Sequence, residues 1–70
     1  MSMGSIAIRT ANGARLAQFF WDSKEGFLDI DQSDGSVKRT KLKSPLHARK
    51  RAWIATQDAL YVGYVVEAYQ

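Results

Sequence analysis

This sequence predicts an all-β fold, a small five-stranded β-barrel with one short helix before the last long strand. Three observations predict it. Apolar and polar residues alternate over short runs, most strictly from Phe27 to Gln32, which is the period of a half-buried strand. Asn12-Gly13 and Asp34-Gly35 interrupt the runs with dipeptides that tolerate the backbone angles of tight hairpins. The single proline, Pro45, follows Ser44, so that serine caps a helix and proline takes its first position.

Ser5 to Thr10 is short and apolar and ends in the turn Ala11-Asn12-Gly13. Ala14 to Trp21 reads as the second strand, with Phe19 and Trp21 on one face and Phe20 on the other, until the polar cluster Asp22 to Gly26 breaks it. In the third strand Leu28 and Ile30 share one face, and Phe27, Asp29 and Asp31 the other. Val37 to Lys43 sets Val37, Arg39, Lys41 and Lys43 against Lys38, Thr40 and Leu42, a basic strand that pairs with the acidic one before it. Leu46 to Trp53 fills about two helical turns, Ile54 to Asp58 connects, and Ala59 to Ala68 is the longest β-rich run, with Gly63 as its bulge or bend. One domain covers residues 1–70, and residues 1–5 read as a disordered or tag-derived end.

Charge is distributed unevenly. Seven of the ten basic residues, Lys38, Arg39, Lys41, Lys43, Arg49, Lys50 and Arg51, lie in a fourteen-residue stretch without an acid, while all seven acids lie outside it. A formal +3 therefore conceals a strongly basic segment beside an acidic remainder. A concentrated basic face on a small domain is suited to a phosphate backbone, and these seven residues are the candidates for phosphate contacts. Phe27 and Trp21 are the candidates for stacking on bases, Phe19 belongs to the core, and Trp53 is expected to anchor the short helix on the barrel.

Other chemistries find no support in the residues. Without cysteine there is no disulfide or thiolate metal site, and with His47 as the sole histidine there is no multi-histidine site. Glycine-rich phosphate loops and serine elbows are absent from the sequence, and Asp29 with Asp31 reads as a charge ladder facing bases. No cofactor, no metal and no enzymatic activity are expected. No apolar run approaches the roughly 18 residues of a membrane span, and the start lacks the pattern of a signal peptide, so a cytoplasmic chain without a membrane partner is expected.

The strand and helix pattern with its basic surface describes an oligonucleotide-binding (OB) kind of barrel, a signature that SH3-like barrels share. Asp34-Gly35-Ser36-Val37-Lys38-Arg39, then Arg49-Lys50-Arg51-Ala52-Trp53-Ile54, then Asp58 opening Ala59-Leu60-Tyr61-Val62-Gly63, resembles the core of translation initiation factor 1A, an S1-like OB-fold family. The resemblance runs from about Ala17 to Gly63. The strip Phe19 to Phe27 is similar to the start of cold-shock domains. After the match to factor 1A only Tyr64 to Gln70 remains for that family's fifth strand. The last strand is then very short, or Ser5 to Thr10 fills that edge, or the chain continues beyond Gln70.

The resemblance implies RNA as partner, on the small ribosomal subunit; single-stranded nucleic acid in general is the wider class. The alternative is a protein-interaction module, of the kind found in small viral or phage regulators or artificial β-barrels. It would dock through its basic face or an open strand edge, and a homodimer through such an edge belongs to the same reading.

Overall fold

Four antiparallel strands, β1 (Gly4–Arg9), β2 (Arg15–Trp21), β3 (Gly26–Asp31) and β4 (Val37–Lys41), form a meander in this computed structural model, which describes residues 3–69. Each connection is a turn whose chemistry lies in its own residues. Gly13 and Gly35 take φ angles of 97° and 89°, the left-handed region where a Cβ is unfavourable. In the second turn Asp22 Oδ1 accepts from the backbone N–H groups of Lys24 and Glu25, both at 2.7 Å. In the third, Asp34 Oδ1 accepts from the Ser36 N–H at 2.9 Å. Gly4 and Ser5 belong to β1, and Met1 and Ser2 lie outside the described residues.

The helix departs from the expected length. α1 runs over Pro45–Tyr61, 17 residues, so Ile54 to Asp58 is helix and not connector. Ser44 caps it as expected, its Oγ accepting from the His47 N–H at 3.0 Å. No glycine or proline interrupts residues 46–61, and Ala48, Ala52, Ala55 and Ala59 recur on one helical face. Gly63, read as a strand bend, ends the helix: at φ 90° it donates to the Leu60 carbonyl, and the Tyr64 N–H reaches the Ala59 carbonyl at 2.9 Å. The last strand, β5 (Val65–Tyr69), therefore starts six residues later than Ala59 and has five residues, not ten.

The sheet order is β4-β3-β2-β1-β5. Helix α1 leaves β4 at one edge, crosses one face and delivers the chain to the opposite edge, where β5 pairs antiparallel with β1. Five strands are present and the fold is mostly β, but the sheet is not closed into a barrel: β4 and β5 are its two free edges. The core lies between sheet and helix, where Ile8, Phe19, Leu28 and Leu42 meet Ala48, Ala52 and Ala59. Phe19 belongs to it, as its position in the alternation requires. No helix among the described residues is long and apolar enough to cross a membrane.

The helix sits close to the sheet at one point above all. A Cβ placed on Gly26 would lie 2.6 Å from Ala48 Cβ and 2.8 Å from the Ser44 carbonyl oxygen, well inside contact distance. Gly26→Ala is expected to push the start of α1 off β3 and to lower stability by about 1–3 kcal/mol, the range of overpacking substitutions. Urea denaturation of the two proteins checks this.

Candidate nucleic-acid interface

The face of the sheet away from α1 carries a connected set of ion pairs. Strand register places Gln18, Asp29 and Arg39 in one row across β2, β3 and β4. Arg39 grips Asp29 with two hydrogen bonds, Nε to Oδ1 at 2.7 Å and Nη2 to Oδ2 at 2.8 Å. Arg15 does the same to Asp31 at 2.6 and 3.0 Å and reaches Asp29 at 4.0 Å. At the margins Lys41 pairs with Glu25 at 3.1 Å and Arg9 with Glu67 at 2.5 Å. The charge ladder expected of Asp29 and Asp31 is thus present, and it uses Arg15 as well as the basic strand.

Asp29 is 4% exposed, a carboxylate kept charged by its partners. Its hydrogen bonds to Arg39 hold its pKa below the ordinary aspartate value, against the opposing effect of burial. The Arg39 guanidinium also lies 5.5 Å from the ring centres of both Phe20 and Phe27, which face each other across β2 and β3. Phe27 does lie on the face away from the helix, with Arg39 over its ring.

The other predicted bases lie elsewhere. Lys38 alternates with Arg39 and takes the helix-side face of β4, Lys43 precedes the helix cap, and Arg49, Lys50 and Arg51 lie in the second turn of α1. Among the described residues none of these five forms an ion pair, whereas Arg39 and Lys41 both do. Arg51 leans over the sheet with its guanidinium 6.0 Å from the Phe19 ring centre. The seven bases are therefore divided between two faces, with the unpaired ones gathered at the helix and its approach.

Trp53 corrects an expectation. It is 63% exposed, because the phase that turns Ala48, Ala52 and Ala59 to the sheet turns Trp53 away from it. The alanines, not the tryptophan, seat the helix. Trp53 and Trp21 line a groove of about 550 Å³ between α1 and the β1–β5 side of the sheet, with Ile6, Leu46, Arg49 and Lys50. Trp21 is half-buried, and its ring packs over the backbone of Gly4, where a Cβ would come within 2.7 Å of it. Arg49 and Trp53 are four residues apart, a spacing that already places them on one helical flank. Both residues lie inside the helix expected over Leu46 to Trp53, so their shared flank was legible in the sequence.

No protein-family model matches the chain, and no curated protein and no solved structure matches it. The residues that carry the resemblance to factor 1A, Arg49 to Ile54, form the middle of α1, and Asp58, read as opening a strand, lies in the last helical turn.

Removing Arg39 leaves the nearly buried Asp29 carboxylate with Arg15 alone, at 4.0 Å, so Arg39→Ala is expected to lower stability more than Lys41→Ala, which breaks an exposed pair and stays within about 0.5 kcal/mol. Because folding lowers the Asp29 pKa, its contribution is present above the ordinary aspartate value of 3.8 and is lost as pH falls through the lowered value. Denaturation curves collected from neutral pH downward should show Asp29→Asn less stable at pH 7, with a shallower loss on acidification than the parent chain.

Proposed function

We propose that this chain binds RNA or single-stranded nucleic acid through the outer face of α1 and the groove beside it. The observation that carries the reading is the placement of unpaired bases next to an exposed aromatic ring: Arg49 and Lys50 line one groove with Trp53, and Lys43 stands at the approach to the same helix. In this reading the bases neutralise phosphates and release counterions, Trp53 stacks on a base, and Trp21 forms the opposite wall. Single strands are favoured over duplex because their ring faces are free to stack, whereas those of a duplex are already stacked. Lys38 and Arg51 extend the positive potential, and Arg39 and Lys41 contribute less, each having an acidic partner of its own.

The protein acts by occupancy, with no bond made or broken. The small ribosomal subunit, implied by the resemblance to factor 1A, is one such RNA partner. Kinship with OB-like barrels is supported by the five strands and by a helix before the last one. The proposed face does not depend on closure of a barrel, since the groove is formed by helix and sheet.

Fluorescence anisotropy of a labelled single-stranded RNA at several salt concentrations tests the reading. With about four phosphate contacts, log affinity should fall against log salt with a slope near −3. Replacing Lys43, Arg49 and Lys50 together by alanine should weaken binding at least tenfold and flatten that slope, and Trp53→Ala should cost about tenfold, within the ~1–3 kcal/mol of a stacked base. Lys41→Ala should leave affinity within about twofold, its charge being spent on Glu25. Absence of binding by the parent chain at low salt, or equal binding by the triple variant, overturns the proposal and moves the question to an acidic protein surface.

A further inference from the structure

The two free edges of the sheet differ in chemistry. Edge β4 is exposed along its whole length and carries Lys38, Arg39 and Lys41 among five residues, the kind of charge that keeps an edge from pairing with another strand. Edge β5, Val65-Val66-Glu67-Ala68-Tyr69, has no base, and its one acid is held inside the chain by Arg9 and by the Tyr69 hydroxyl at 2.7 Å. The residues that lead into it are apolar and open to solvent: Leu60 is 59%, Tyr61 92% and Val62 62% exposed. With Tyr64, Val65 and Tyr69 they make six exposed large apolar side chains within residues 60–69. Isolated exposed side chains need no account, but a cluster around an unprotected edge strand does.

We propose that β5 pairs antiparallel with β5 of a second copy of this chain, giving a two-fold dimer with one continuous ten-stranded sheet. A second copy suits the surface because the edge is self-complementary, being apolar and free of unpaired charge, whereas the β4 edge carries the unpaired Lys38 beside the exposed side chains of Arg39 and Lys41. Area points the same way. At about 200 Å² for a whole aromatic side chain, the exposed parts of Tyr61, Tyr64 and Tyr69 alone supply roughly 360 Å², near half of the ~800 Å² that each partner buries in a standard interface.

The register follows from charge. A two-fold axis normal to the sheet must set residues of one face opposite each other, so it passes beside Val66, Glu67 or Ala68. At Glu67 it would place two carboxylates directly opposite, which is destabilising. At Val66 it sets Val66 against itself and Val65 against Glu67, and it lets Tyr64 meet Ala68. The register at Val66 keeps the two carboxylates apart and also brings Tyr64, which leads into the strand, into the pairing, and we place the axis there. Both helices then stand on one side of the joined sheet. The two grooves, each lined by Ala68 and Tyr69 of its own β5, flank the axis.

Sedimentation equilibrium of the full chain should give twice the 7.9 kDa monomer at tens to hundreds of micromolar. Leu60→Lys with Tyr61→Lys adds positive charge at the helix C-terminus, where the helix dipole welcomes it, so the fold survives while dimerisation weakens at least tenfold. The chain has no cysteine of its own. Val66→Cys should form an intermolecular disulfide on oxidation, since directly opposed residues of antiparallel strands stand about 4.5–5.5 Å apart between Cα atoms, within disulfide range. Thr40→Cys on β4 should not. A monomeric parent chain at hundreds of micromolar, or a dimer that cross-links through Thr40→Cys and not Val66→Cys, overturns the proposal. RNA binding by a strictly monomeric chain would overturn the dimer while leaving the proposed function intact.

Discussion

Close contact between a stripe of alanines and the sheet is the constraint on which the rest of this structure depends. Ala48, Ala52 and Ala59 are buried, and their small size lets the helix backbone approach the strands, most closely where Ala48 meets Gly26. A small domain has little core to spend, and this one gathers Ile8, Phe19, Leu28 and Leu42 under a helix that contributes only methyl groups. The large side chains of α1, Leu46, Trp53, Ile54 and Leu60, consequently point away from the sheet and stay exposed. The binding groove and the apolar margin of the molecule both arise from that single choice of helical phase.

The crossing of α1 also decides which edges remain. Because the helix carries the chain from β4 to the far side of β1, the meander gains its fifth strand at the opposite edge and the sheet stays open. One edge is guarded by lysine and arginine and the other is not. The face away from the helix is stitched by the Arg15, Asp31, Asp29 and Arg39 ladder, which keeps Asp29 charged although it is nearly buried. Two arginines satisfying neighbouring carboxylates give this face order and leave it little net charge for a ligand, so free positive charge accumulates on the helix side.

Much of the fold was legible in the chain. The hairpin turns at Asn12-Gly13 and Asp34-Gly35, the assignment of Phe19, Leu28 and Asp29 to their faces, and the cap at Ser44-Pro45 are all local consequences of side-chain period and turn chemistry. The helix end was legible too, yet easily misread, because Leu60-Tyr61-Val62 and Tyr64-Val65-Val66 have equal β character on either side of Gly63. What separates them is the left-handed Gly63, with backbone hydrogen bonds donated by its own N–H and by that of Tyr64, a capping signal that acts only once the alanine stripe has found a sheet to pack on.

The sequence by itself determined the concentration of seven bases in fourteen residues, the alternation of the first four strands and their turns, since each is set by residues close along the chain. Only the tertiary structure decided that these bases divide between two faces, that Arg39 and Lys41 are neutralised while Lys43, Arg49 and Lys50 are not, and that Trp53 is displayed and not buried. The physical reason is that ion pairing and helical phase depend on which distant residues are brought together. Asp29 comes from another strand to meet Arg39, and it is the sheet under the alanines that turns the tryptophan outward.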